Sequence, residues 1–296
     1  VQPTEAFVTK KLVVGICQNI AVEGADGNWA LFETQVREAA ARGATVVCSQ
    51  ELFTAPYFCQ GQEHQHFDLA ETIPGPSTAR AQVLAKELGV VLVISLFEER
   101  APGLTHNTAV VVESDGSILG TYRKMHIPQD PGFDEKFYFA PGDQGFKCFE
   151  TSAGKIGVLI CWDQWYPEAA RLTALQGAEV IFYPTAIAWD DLEDPSLRPA
   201  QVDAWQTSMR AHAIANGVFV AAPNRIGREG RLVFWGNSFV CGPDGQFLSK
   251  TDHEAPEVLV VECDRERIRE TRRVWPFLRD RRIDAYEGIL KRFGNP

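Results

Sequence analysis

Lys155-Ile-Gly-Val-Leu-Ile160 runs without a break into Cys161-Trp-Asp-Gln-Trp-Tyr-Pro-Glu-Ala-Ala-Arg171. Five of the six residues before the cysteine are apolar or glycine, the pattern of a short strand buried on both faces. Pro167 suits the first turn of a helix, and Glu168 favours the same end through the helix dipole. The stretch predicts a strand that stops at a thiol, with a helix starting just beyond it. In open α/β sheets, ligands gather outside the carboxyl ends of strands. There, helix-end N–H groups stabilise a thiolate and later an oxyanion. Cys161 is therefore a candidate nucleophile, although a single cysteine after a strand is by default an inert packing thiol.

The pattern of alternating strand and helix extends in both directions. Upstream, residues 12–17 read as a strand and 29–41 as an amphipathic helix closed by Gly43. Residues 45–48 form the next strand, which delivers Glu51 just past its end. Residues 77–88 read as a helix stopped by Gly89, and 90–97 as a strand. Segments 107–113 and 117–123 flank Asp115-Gly116, a strong hairpin signal, and Lys124 follows the second of them. Segments 146–151 and 155–160 make a second hairpin.

Downstream come a helix (167–176), a strand (179–183), a polar loop (189–199) and a longer helix (201–215). Strands follow at 218–223, 232–241, 246–249 and 258–263, and a helix capped by Asp264 closes the series. No linker or repeat interrupts this order, so the chain reads as one domain over 1–296. Mixed βα units and hairpins predict an α/β fold of the mixed α+β kind, with a mixed sheet or two sheets covered by helices. The tail 274–296 contains Arg279-Asp-Arg-Arg282, too charged for a core. It is expected to extend across the molecule or onto a neighbouring subunit.

Composition narrows the function classes. A net charge of -10 over 296 residues argues against binding along a phosphate backbone, so nucleic acid is not an expected partner. The same acidity is compatible with a small cationic substrate. Seven cysteines without a CxxC pair fit a reducing compartment better than a disulfide framework. No apolar run approaches membrane-spanning length, and the N-terminal run lacks a cleavage-site pattern. A soluble, cytoplasmic protein is the expectation.

Three polar residues share one placement, a step or three beyond a strand end: Glu51, Lys124 and Cys161. Acyl transfer needs a nucleophile, a base for its proton, and a positive group where negative charge develops. Cysteine, glutamate and lysine supply all three without a histidine or a metal. Taken singly, Glu51 would be a surface or helix-start carboxylate and Lys124 a solvated strand end. His126 reads as structural, and His64 and His66 lack the further ligands a zinc site needs.

Glu51-Leu-Phe, Tyr122-Arg-Lys124-Met-His-Ile-Pro128 and Ile160-Cys161-Trp-Asp163 resemble, in order and spacing, the three motif blocks of the nitrilase superfamily of carbon–nitrogen hydrolases. The resemblance runs from about Leu12 to about Arg282. It implies an α-β-β-α sandwich, with two mixed sheets between helix layers, and a homodimer or higher homo-oligomer. It implies Glu51 as general base, Lys124 as oxyanion stabiliser, Cys161 as nucleophile, Glu135 as a second glutamate beside the lysine, and the Trp162 N–H as a second oxyanion donor. No cofactor is implied. Tyr57 is placed as a pocket-lining residue.

Stretches such as 134–143, 182–187 and 224–227 are closest to the members that act on a carbamoylated diamine. Such a substrate carries a free ammonium, and Asp190, followed by Asp191, Glu193 and Asp194, stands where an acidic partner is expected. Arg198 is the one basic residue in 189–199, which favours an amine over an acid-bearing ureido compound, an ω-amide or a nitrile. A non-catalytic interaction protein on the same fold is the rival of another class.

Overall fold

The computed structural model describes residues 11–252 and 255–294. In chain order its first strands are β1 (Leu12–Gln18), β2 (Val46–Cys48), β3 (Val91–Ala101), β4 (Leu104–Val112) and β5 (Ile118–Arg123). Then come β6 (Cys148–Thr151), β7 (Gly154–Val158), β8 (Val180–Phe182), β9 (Ala188–Asp190) and β10 (Phe219–Ala222). The last are β11 (Ile226–Glu229), β12 (Leu232–Trp235), β13 (Phe239–Cys241), β14 (Phe247–Lys250) and β15 (Glu257–Cys263). The helices are α1 (Ala25–Ala41), α2 (Pro76–Leu88), α3 (Glu135–Tyr138), α4 (Pro167–Leu175), α5 (Arg198–Asn216) and α6 (Arg265–Val274).

Two mixed six-stranded sheets, ordered β15-β1-β2-β3-β4-β5 and β14-β13-β10-β8-β7-β6, make the body of the molecule. The alternation of side chains along the first sheet shows why they stack. Val14, Ile16, Val46, Cys48, Val91, Val93, Ala109 and Val111 point into the core shared with the second sheet. Their neighbours Cys17, Val47, Leu92, Ile94, Val110 and Val112 point the other way, onto Trp29, Phe32 and Val36 of α1 and Ala81 and Leu84 of α2. On the second sheet, Ala169 and Ala170 of α4 and Trp205 and Met209 of α5 belong to the same contiguous apolar cluster as its strands. The result is the expected α-β-β-α sandwich.

Local chemistry sets the ends of these elements. Pro76 and Pro167 open α2 and α4, where a missing N–H costs nothing. Gly89 closes α2 at φ 65°, and Asp264 caps α6 by accepting the Glu266 N–H.

Three expectations needed correction. The strand expected over 232–241 is two strands in different sheets, because Gly236 and Asn237 both take positive φ and turn the chain between them. The polar loop 189–199 begins as β9, paired with β12 in a small third sheet β11-β12-β9. The strand expected over 90–97 is the longer β3, which turns directly into β4 at Gly103. The helix expected over 167–176 is α4, which follows a 3-10 turn over Cys161–Trp165.

Candidate active site

The β4–β5 register pairs Thr108 with Arg123, so Asn107 and Lys124 lie side by side at the end of the ladder. The Lys124 N–H donates to the Asn107 carbonyl at 2.9 Å. The Lys124 side chain is fully buried, and its Nζ lies 2.8 Å from Glu51 Oε1 and 2.6 Å from Glu135 Oε2. Asn107 Nδ2 donates to the same Glu51 oxygen at 2.7 Å. Glu51 Oε2 is buried with no hydrogen-bond partner among the described residues. That oxygen is the free acceptor a general base needs.

Charge in this cluster is coupled. Burial works to lower the pKa of Lys124, but Glu135 and Glu51 outweigh it and hold the ammonium well above the usual lysine range. Burial pushes the Glu135 carboxyl up to about 7, against the pull of Lys124. Tyr57 donates its phenol to Glu135 Oε1 at 2.8 Å and is itself held protonated, chiefly by burial. Tyr57 thus supports Glu135 from the side away from the lysine.

Cys161 stands at φ +39°, a left-handed conformation that costs a non-glycine residue roughly 1–3 kcal/mol. Leu52, which follows Glu51, has φ +47°. Of the three non-glycine residues with positive φ among the described residues, two are therefore at this site. The segment after β8 grips both partners, since Pro184 O accepts the Cys161 N–H at 2.9 Å and Thr185 O accepts the Glu51 N–H at 3.3 Å. Burial and then the Glu51 charge raise the Cys161 thiol well above its ordinary pKa, while Lys124 and the Ala186 N–H oppose the rise. The resting sulfur is a neutral thiol, so attack requires a base to take its proton.

Asp163 braces the turn that carries the thiol. Its carboxylate accepts the Ile160 N–H (2.9 Å), the Tyr122 hydroxyl (2.7 Å) and the His126 N–H (3.0 Å). His126 Nδ1 lies 2.7 Å from Asp163, and its ring stacks on Tyr166 at 3.7 Å. His126 is thus occupied with Asp163, in keeping with its structural reading. The Trp162 N–H is among the first donors of the 3-10 turn, which lack an acceptor inside the turn.

The acidic run at 190–194 has a different environment from the one expected. Asp190 is buried and paired with Arg231 at 3.0 Å. Asp191 pairs with Arg228 and lies 3.6 Å from Arg198. Asp194 accepts the Ser196 N–H, and Glu193 accepts from Gln201 Nε2 at 2.7 Å. A cavity of about 750 Å³ lies against the loop 54–61 and is lined in part by Tyr57, His66, Arg228 and Glu229. It includes none of Glu51, Lys124, Glu135 or Cys161. Among the described residues, no group of three or more His, Cys, Asp or Glu is placed to hold a metal ion. No helix among them is long and apolar enough to cross a membrane.

The carbon–nitrogen hydrolase family model matches residues 13–273. The chain belongs to that family. It is 45% identical, over 97% of both chains, to an N-carbamoylputrescine amidase of Arabidopsis thaliana. It is 39% identical to a citrullinase of Francisella tularensis, over 90% of this chain and 93% of that one. A crystal structure of a carbon–nitrogen hydrolase from Helicobacter pylori G27 superposes with a TM-score of 0.92 at 46% identity, covering 96% of this chain and 99% of that one.

Within this carbon–nitrogen hydrolase, Glu51, Lys124 and Glu135 meet through direct side-chain contacts, and Cys161 is electrostatically coupled to all three. Sequence reasoning missed Asn107 and the bracing role of Asp163. Asn107 was legible in principle, because hairpin register places it opposite Lys124. Asp163 also braces the turn through Tyr122 and His126, 41 and 37 residues away in sequence, which no local pattern announces.

Proposed function

We propose that the protein is a thiol-dependent amidase that hydrolyses N-carbamoylputrescine to putrescine, ammonia and carbon dioxide. The observation that carries the chemistry is the free Oε2 of Glu51, held by Lys124 and Asn107 in a cluster with a neutral Cys161 thiol. The diamine is supported by 45% identity to N-carbamoylputrescine amidases of four plants.

In this reading Glu51 takes the Cys161 proton as the sulfur attacks the carbamoyl carbon. Lys124 and the Trp162 N–H hold the oxyanion. Collapse breaks the bond to the terminal nitrogen, which leaves as ammonia with the proton from Glu51, and a carbamoyl thioester remains on Cys161. Glu51 then takes a proton from water as the water attacks, and the C–S bond breaks with the proton returned to sulfur. The released carbamic acid splits into carbon dioxide and the diamine. Glu135, supported by Tyr57, keeps Lys124 charged and placed. This assignment puts the enzyme in polyamine biosynthesis.

A second reading is a ureido amino acid such as citrulline, whose far end carries both charges. The mixed set Asp190, Asp191, Arg228 and Arg231 favours it, as does the 39% identity to a citrullinase. Ammonia release from N-carbamoylputrescine, citrulline and N-carbamoyl-β-alanine decides between them. The diamine precursor is expected to give the highest kcat/KM, and Cys161→Ala to lose at least about 10⁴-fold. Citrulline as the best substrate would favour the second reading, and full turnover by Cys161→Ala would remove the mechanism.

The tail supports assembly into a homo-oligomer. Val274, Ile283, Ile289, Leu290 and Phe293 are each more than 60% exposed, an apolar surface suited to a neighbouring copy. Light scattering should give at least a dimer for the full chain and a smaller species for a chain ending at Arg273. A monomer at micromolar concentration would contradict this. The seven described cysteines are all unpaired, which supports a reducing, cytoplasmic setting. Cell fractionation into an oxidising compartment would argue otherwise.

A further inference from the structure

We propose that Arg225, locked to Glu229, is the positioning residue that sets how Glu51 and Glu135 face each other across Lys124. The inference rests on the roles given to those two carboxylates above. Arg225 is completely buried, and a buried guanidinium persists only where it is well paired. Its partners are concentrated on the catalytic loop. Nη2 donates to the Glu51 carbonyl at 2.9 Å and the Leu52 carbonyl at 3.0 Å, and Nη1 donates to the Ala55 carbonyl at 3.3 Å. The face of Phe234 lies 5.2 Å from the guanidinium carbon.

This grip falls where the loop most needs it. Leu52 is in the left-handed region at φ +47°, and such a conformation survives only when its surroundings enforce it. Ser95 Oγ accepts the Leu52 N–H at 3.1 Å, while Arg225 takes its carbonyl. Together with the Thr185 contact to the Glu51 N–H, every backbone polar group of Glu51 and Leu52 is fixed. The Glu51 carboxylate is thereby aimed from its own main chain.

The second arm reaches Glu135. Arg225 Nη1 lies 2.9 and 3.1 Å from the two Glu229 oxygens. Glu229 accepts the Tyr57 N–H, and the Tyr57 hydroxyl donates to Glu135. One guanidinium therefore holds the main chain of one carboxylate and, through Glu229 and Tyr57, the hydrogen-bond donor of the other. A planar fork can serve three carbonyls and a carboxylate at once. A lysine ammonium cannot. Arg225 Nε is buried without a partner among the described residues, so the site satisfies the loop before it satisfies the arginine.

The test compares Glu229→Ala, Glu229→Gln and Arg225→Lys with wild type, using N-carbamoylputrescine turnover and thermal melting. Glu229→Ala and Arg225→Lys are expected to lower kcat about 10²-fold, the scale of an ångström-sized misplacement, with KM within about threefold. Glu229→Gln keeps one acceptor oxygen but removes the charge that neutralises the buried guanidinium, so its kcat should fall between wild type and Glu229→Ala, with KM again within about threefold. Should Arg225→Lys fail to fold, the Glu229 pair carries the test. Wild-type kcat in Glu229→Ala, a rise in KM with kcat held, or a loss matching only the unfolded fraction would each overturn the proposal. Glu51→Gln and Cys161→Ala, assayed alongside, separate the two levels of argument. If they are inactive while Glu229→Ala is normal, only the positioning role fails; if Glu51→Gln is fully active, the reading beneath it fails.

Discussion

Two acidic regions of this molecule treat their charge in opposite ways. Glu51 and Glu135 are buried around one lysine, with an oxygen of Glu51 left over. In the 190–194 run, Asp190 is matched by Arg231 and Asp191 by Arg228, while Asp194 and Glu193 take a backbone N–H and an amide. The first region is under-compensated and buried, so a small change in protonation matters greatly there. The second is locally balanced, and its outer members are screened by water. In the proposed mechanism the unpaired oxygen is the base, whereas the count of acids in a loop says little.

Lys124→Met applies the largest stress to this contrast. It strands two buried carboxylates, and breaking a buried pair in this way costs about 3–5 kcal/mol. Activity should fall below detection. The stability loss should also depend on pH. Without the lysine, burial and the neighbouring Glu51 charge raise the Glu135 carboxyl further above its unfolded pKa. Stability is then greatest below the unfolded carboxyl range and is lost as pH rises through the folded value. Urea titrations of the variant should give a higher midpoint at pH 5 than at pH 8. Arg228→Met, at the exposed loop pair, should leave the urea midpoint nearly unchanged and show no such trend. Equal losses in the two variants would erase the distinction between the regions.

The same contrast explains what was legible beforehand. Alternating and continuous apolar runs announced the strands, and strand ends announced Glu51, Lys124 and Cys161, because those patterns are local. The balance of the acidic loop was not local. Within 189–199 four acids face one arginine, yet Arg228 and Arg231 arrive from the β11–β12 hairpin through the pairing of β12 with β9. The break between β12 and β13 was hidden for a related reason: it lies at Gly236 and Asn237 inside an otherwise strand-like run. Tyr57 could be placed near the pocket from sequence. Its hydrogen bond to Glu135 required the fold.

Tyr57→Phe sharpens the catalytic side by a smaller step. Burial sets Glu135 near 7, and the Tyr57 hydroxyl is one of the contacts that pull it down. Removing that hydroxyl should move the Glu135 pKa upward and carry the acidic limb of the kcat/KM profile to higher pH. At neutral pH the loss should be about tenfold, the worth of a hydrogen bond to a charged group. An acidic limb that stays put, or moves down, would detach Glu135 from the control of Lys124.

Asp190→Asn probes the balanced side, where the smallest effect is expected. If Asp190 receives the substrate ammonium, that cation competes with Arg231, which already sits 3.0 Å from the carboxylate. Losing the charge should therefore raise KM for N-carbamoylputrescine only about threefold and leave kcat unchanged, the behaviour of a contact equal in ground and transition states. Arg231→Gln gives the opposite sign. It frees Asp190 from its partner and should lower KM for the diamine precursor while raising it for citrulline, whose carboxylate loses a cation. If both variants leave both KM values unchanged, the loop is only scaffold and substrate choice lies elsewhere in the pocket. Opposed shifts for the two substrates would mean that a region electrically silent at rest still selects its ligand by exchanging one ion pair for another.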